Sequence, residues 1–323
     1  MSAFEPAPIL RSAHLQTILG SRGRGRWVRQ RAAAALAASK RQILTASDGV
    51  RLEAWLSEQP HPAPAIVLIH GWLGHADSSY LLSAAAELWQ AGFSVYRLNL
   101  RDHGATAHLN EEMFHSARIN EVLDAIDQLG SNHAKGPLGL VGFSLGGNFA
   151  LRVARARPQI ETVAICPAVD PFATMRSIDT GFLAYRLFFL LKWQRALNAK
   201  QLAFPERYDF ETARKLRSVH ALTDVFVRDH TDYRNTEAYL DAYSLTGNAL
   251  AGTRATIIFA EDDPVIPAAG FRALPESLEL VATRYGGHCA YIDDPRQATW
   301  TDRFLVNRFE ERLLAADSAS IAV

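Results

Sequence analysis

Three residues that lie far apart in this chain have the types needed for acyl transfer. Ser144 sits in Gly142-Phe143-Ser144-Leu145-Gly146, after the apolar run 138–141 and before the helix-forming stretch 148–154. A G-x-S-x-G turn between a strand and a helix forces its serine into a strained conformation that only small neighbours allow. The hydroxyl is then exposed at the end of a sheet, beside the positive end of a helix dipole. A serine hydroxyl is a poor nucleophile near neutral pH, so Ser144 needs a base, and that base needs an orienting acid. A strand over 256–259 runs into Ala260-Glu261-Asp262-Asp263-Pro264, and a later one runs into Tyr285-Gly286-Gly287-His288-Cys289. Asp263 is the preferred acid, with Asp262 and Glu261 as rivals. His288 is the preferred base, because His220 and His230 lack the same strand-then-glycine context.

An acyl-transfer site also needs two N–H groups aimed at the oxyanion. The amide of Leu145, directly after the nucleophile, is one. The loop His70-Gly71-Trp72 after an earlier buried strand supplies the other, most naturally from Trp72. His70 is expected to shape that loop without titrating. His70 and Phe143 near these turns, and Phe182, Tyr185 and Phe189 further on, are the candidates for touching substrate. Asp102 and His103 form a tempting pair, but neighbours in an extended segment point to opposite faces, so a structural turn is preferred. Cys289 reads as buried packing. The spacing of Cys166, Cys289 and the histidines fits no zinc pattern, and no glycine-rich loop matches a phosphate cradle, so neither metal nor cofactor is expected.

The elements that must position these groups alternate. Strands are expected over 40–45 and 50–57, joined through Asp48-Gly49, a hairpin signal. Further strands are expected over 65–69, 94–100, 138–141, 162–166, 255–259 and 278–281. Helices are expected over 79–90, 116–129, 145–155 and about 297–314. This rhythm implies an α/β fold with a mostly parallel central sheet and helices on both faces. It breaks from 170 to 252, a block too long for a loop and rich in aromatic, helical sequence. The expected organisation is an N-terminal extension (1–39), an α/β core (40–169 and 253–323) and an inserted helical cap (170–252).

With 323 residues, 48% of them hydrophobic, the chain can bury a large core. Its formal net charge is zero and its pI is about 7.2, which gives no reason to expect nucleic acid as a partner. Two cysteines cannot build a disulfide framework, and no apolar run is long enough to span a bilayer, so a cytoplasmic location is expected. The arginine-rich, acid-poor stretch 22–41 reads as a solvated basic segment, with an organelle transit peptide as its rival. That stretch and the patch 188–191 are the surfaces that a weak peripheral membrane contact would use. A monomer or homodimer would be ordinary.

The chain resembles the YheT-like (EMB8-like) branch of the α/β-hydrolases. The resemblance is carried by residues 4–8 followed by His14-Leu15-Gln16-Thr17, then Phe114-His115-Ser116, residues 142–148, Asp262-Asp263-Pro264 and Gly286-Gly287-His288. It implies an α/β-hydrolase fold and a serine hydrolase using Ser144, Asp263 and His288 on carboxylic esters, often with acyl chains. The turn Arg101-Asp102-His103-Gly104 and the segment around Trp72 depart from that branch, which bears on specificity more than on chemistry. The same triad could act on amides or thioesters or in acyl transfer. The reading from another class is a catalytically silent binding protein on a hydrolase fold.

Overall fold

The computed structural model describes residues 3–314. Its centre is one eight-stranded sheet in the order β1-β2-β4-β3-β5-β6-β7-β8. The strands are β1 (Ser39–Thr45), β2 (Arg51–Ser57), β3 (Ala65–Ile69), β4 (Ser94–Asn99), β5 (Leu138–Phe143), β6 (Glu161–Ile165), β7 (Thr256–Ala260) and β8 (Glu279–Thr283). The first two form an antiparallel hairpin, β2 pairs antiparallel with β4, and all remaining pairs are parallel.

β3 shows why the inner strands read as continuous apolar runs. All five of its residues are buried, and they divide by parity between two cores. Ile66 and Leu68 join the cluster containing Leu81, Leu88 and Leu305, from helices α4 (Ser79–Gln90) and α11 (Trp300–Phe309). Val67 and Ile69 join the cluster containing Ile126 and Leu151, from α5 (Asn120–Asn132) and α6 (Leu145–Ala156). The sheet is thus covered on both faces.

Two expectations need correction. The helix expected from 116 begins at Asn120. The Arg152 guanidinium donates to the carbonyls of Ser116 and Ala117 (2.7 and 2.8 Å), which holds this segment as a turn. The stretch 22–41 is not a solvated basic segment. It contains the short helices α2 (Gly25–Arg31) and α3 (Ala33–Ala37), and Val28 and Ala32 pack in a small core with Leu82 and Ala86 of α4. Arg24 is buried too, donating to the carbonyls of Pro295 and Gln297. The apolar positions 28, 32 and 36 recur at helical spacing, and the arginines between them obscure that stripe.

Before these, α1 (Ala13–Ser21) starts on a Ser12 cap. Between β6 and β7 the long regular elements are all helices, joined by loops: α7 (Pro171–Thr180), α8 (Leu183–Ala203), α9 (Val219–His230) and α10 (Thr236–Asp241). Asp170, Ser218 and Asn235 cap α7, α9 and α10 by accepting from backbone N–H groups of the first turn. Among the described residues, no helix is long and apolar enough to cross a membrane. The outermost limits of the expected N-terminal extension and core, residues 1–2 and 315–323, lie outside the described residues.

Candidate active site

Ser144 closes β5 and caps α6 with φ of 55° and ψ of −117°, a backbone region that costs a non-glycine residue about 1–3 kcal/mol. The surroundings over-determine it. Its N–H donates to Ile165 O (2.9 Å), and its carbonyl accepts from Asn148 and Ala168. The flanking glycines permit the turn, since a Cβ on Gly142 would collide with the Gly146 carbonyl and one on Gly146 with the carbonyl of Ile69.

His288 Nε2 lies 2.9 Å from Ser144 Oγ, and its Nδ1 lies 2.8 Å from Asp263 Oδ2. The other oxygen of Asp263 accepts from the N–H groups of Val265 and Ile266 (2.8 and 2.9 Å), so the carboxylate cannot swing away from the ring. Asp262 faces elsewhere: its Oδ1 accepts from Gly287 N (2.9 Å), and burial pushes its carboxyl up. Asp262 therefore braces the histidine loop, and the exposed Glu261 belongs to the turn. Of the three acids, only Asp263 reaches His288.

The histidine loop is also fastened from the other end of the chain. His288 N–H donates to Thr17 Oγ1 (2.9 Å). Gln16, fully buried, donates to the carbonyls of Leu10 and Ile292 and accepts from Ile292 N, each at 2.8 Å. The peptide His14-Leu15-Gln16-Thr17 thus has a physical task that sequence alone did not reveal: α1 anchors the loop bearing His288.

His70 is fully buried and lines no cavity beside Ser144, so it does not join the candidate substrate contacts. Its Nε2 accepts from Leu100 N (3.2 Å), so Nδ1 carries the proton and donates to Gly71 O (2.7 Å). Burial, with His103 beside it, holds its pKa well below the ordinary histidine value. It shapes the Gly71–Trp72 turn as a neutral ring. Tyr80 completes the brace, accepting from Gly71 N at 3.0 Å. Trp72 follows this brace and, among the described residues, makes no backbone hydrogen bond through its N–H, while Leu145 opens α6, where an N–H has no intrahelical partner.

Asp102 and His103 do not act together. Asp102 accepts from Phe114 N and from the buried ammonium of Lys200 on α8 (2.8 and 2.9 Å), whereas His103 Nδ1 donates to Arg101 O. Cys166, Cys289 and one nitrogen of His288 cluster within 4.8 Å, a grouping that their sequence spacing hid. Both His288 nitrogens are engaged by Asp263 and Ser144, and burial pushes the Cys289 thiol up, so a metal there would compete with the hydrogen-bonded chain.

Two cavities meet at Ser144. The inner one, about 130 Å³, runs beneath α8 and α9 between Leu145, Met113, Trp193 and Phe226. The outer one, about 400 Å³, opens past His288, Tyr185, Phe188 and Lys192. Trp72, Phe189 and Val265 line both. Phe143, Phe182 and Tyr185 line the outer cavity, so four of the five candidate contact residues reach these spaces.

The chain that carries this geometry is similar to known proteins of one family. The model of the alpha/beta hydrolase family matches residues 66–300. The chain is 23% identical over 336 residues to the embryogenesis-associated protein EMB8 of Picea glauca, covering 94% of this chain and 71% of that one. It is 26% identical over 269 residues to YheT of Escherichia coli (strain K12), a protein provisionally named an esterase, covering 78% of each. The solved Pyrobaculum calidifontis esterase superposes with a TM-score of 0.54 at 20% identity, over 99% of this chain and 100% of that one. The chain is a hydrolase that belongs to the alpha/beta hydrolase family, in its YheT/EMB8-like branch.

Proposed function

We propose that this hydrolase cleaves carboxylic esters through an acyl-enzyme on Ser144, with His288 as general base and acid, Asp263 as its orienting partner, and residues 170–252 as a cap. The observation that carries this reading is the unbroken chain from Asp263 through His288 to Ser144 Oγ, at 2.8 and 2.9 Å. Ser144 Oγ attacks the carbonyl carbon as its proton passes to His288 Nε2. The tetrahedral oxyanion is met by the N–H groups of Trp72 and Leu145. The carbon–oxygen bond to the leaving alcohol then breaks as Nε2 returns the proton to that oxygen. Water repeats the sequence on the acyl-enzyme and frees Ser144.

Proton return also assigns the two cavities. The leaving oxygen must lie within reach of His288, and His288 lines only the outer cavity. The leaving alcohol therefore departs through the outer cavity, and the acyl chain occupies the inner one. Apolar walls suit an acyl chain, and the charged pair within reach, Asp102 and Lys200, is mutually neutralised at 2.9 Å.

Ser144→Ala is expected to lower turnover of p-nitrophenyl butyrate by about 10⁴-fold or more and to end labelling by a fluorophosphonate probe, with the melting temperature little changed. Retained turnover would overturn the assignment. Matched ester, amide and thioester substrates test the bond, with the ester expected to be cleaved fastest.

A further inference from the structure

The surface around the mouth of the outer cavity is apolar and cationic. Ile18 of α1 and Phe182 line that cavity yet are 53% and 55% exposed. Leu183, Leu187 and Leu191 of α8 are 52%, 46% and 53% exposed. Their spacing of four places them in one stripe, adjacent to the Ala184, Phe188 and Lys192 face that lines the cavity. Another face of α8 is packed through Phe189, Leu190, Trp193 and Leu197, and the exposed leucine stripe is left without a partner among the described residues. A contiguous exposed apolar patch at a site entrance marks an interaction surface.

Its charge is of one sign. Arg22 and Lys192 lie over the Phe188 ring at 5.6 and 4.9 Å, and the charges bearing on Lys192, from Arg22 and Arg195, are both positive. None of these three cations has a carboxylate within 4 Å among the described residues. Asp77, the acid in the outer cavity, is already held by Arg97 (2.5 Å) and Arg29 (3.2 Å). The sequence explains the excess: α8 contains no acidic residue, and neither does the stretch 6–47 that forms α1, α2 and α3. The protein is neutral as a whole, so the positive excess of these acid-free segments is balanced elsewhere in the chain.

We propose that this rim docks on an anionic lipid surface, with Leu183, Leu187 and Leu191 entering the interface and Arg22, Lys192 and Arg195 meeting the head groups. Apolar side chains flanked by lysine and arginine and free of acids are what interfacial binding requires. A second copy of the chain would cover the same leucines only by bringing the three cations against their own images across a two-fold axis, which repels. Docking needs no catalytic step and stands whether or not the ester reading holds.

The test is co-sedimentation of the full chain with vesicles of 30% phosphatidylglycerol in phosphatidylcholine, and with pure phosphatidylcholine, in 0.1 M salt. Binding is expected to the anionic vesicles, at least about tenfold tighter than to the neutral ones, and weakened several-fold in 0.5 M salt. The double variant Leu187→Asp/Leu191→Asp is expected to lose at least about tenfold in binding while keeping turnover of soluble p-nitrophenyl butyrate. Light scattering of both proteins decides the competing occupant. Equal binding to both vesicle types, no binding, or a wild-type dimer that the double variant converts to monomer would each overturn the proposal.

Discussion

On the sheet side of Ser144, the groups that face the hydroxyl are fastened to backbone. His288 is held through Thr17, Asp263 through Val265 and Ile266, and the Gly71–Trp72 turn through His70 and Tyr80. On the α8 side the contacts are mostly rings: Phe189 stacks on Trp72 at 5.6 Å, and Trp193 meets it edge-on at 5.0 Å. The polar ties there lie to either side, from Lys192 to Leu73 O, and from Lys200 to Asp102 and three carbonyls. Proton transfer depends on tenths of an ångström, which directional hydrogen bonds supply. Accommodating an acyl chain needs volume and apolar surface, which ring packing supplies with more latitude. Substitutions on the sheet side should therefore change rate, and those on the α8 side should change preference.

The largest difference is expected between two adjacent acids. Asp263→Asn should lower kcat by about 10⁴-fold, because the amide can no longer orient and stabilise the protonated ring. Asp262→Asn should cost less than about tenfold, since it affects the ring only through Gly287. Equal losses in steady-state turnover would erase the distinction drawn from their geometry. Next is Thr17→Val, which leaves His288 N–H without its acceptor and should lower kcat about tenfold with KM nearly unchanged. Recovery by Thr17→Ser would tie the loss to that hydroxyl, whereas a KM effect alone would argue against it. On the opposite wall, Phe189→Ala should leave hydrolysis of acetyl esters within about threefold of wild type and lower the preference for octanoyl over acetyl esters by about tenfold. A uniform loss across chain lengths would place Phe189 with the rate-setting groups.

The smallest effect concerns pH. Burial lowers the pKa of His103 to about 4, below its unfolded value near 6.5. The unfolded chain takes up the proton first as pH falls. The stabilising contribution is therefore complete above about 6.5 and is lost progressively towards pH 4. Urea midpoints should fall across that window, and His103→Phe should flatten the slope. An unchanged slope would remove His103 from the account.

The two sides also differ in how far the sequence disclosed them. The sheet side was open to reading because each polar cluster follows a short apolar strand, and buried parallel strands announce themselves as continuous runs. Ser144, Asp263 and His288 meet as their strand-end positions implied. What the sequence left open was the choice among Glu261, Asp262 and Asp263, because neighbouring residues share composition and differ only in side-chain direction. The role of Gln16 and Thr17 was hidden for another reason: their partners lie at 288 and 292, and no local pattern reports so distant a contact. His70 reads as a substrate contact from the sequence but lines neither cavity, since a histidine in a site loop looks the same whether it faces the cavity or braces the turn from behind. The helices over 22–41 were concealed by arginines whose charge outweighs a narrow stripe of Val28, Ala32 and Leu36. On the α8 side the aromatic content was evident, but helical sequence does not state which face meets the sheet, so the two cavities emerge only from the assembled molecule.

The clasp between α1 and the His288 loop makes the position of that loop depend on a segment remote from it in the chain. Thr17 lies 271 residues from His288 and Gln16 lies 276 residues from Ile292, yet each pair is joined by direct hydrogen bonds. A chain clipped between α1 and β1 would keep the contacts of His288 with Asp263 and Ser144 and would rely on the noncovalent hold of α1 for the backbone of that loop. The placement of the His288 backbone is thus shared between its own loop and a helix far away in sequence.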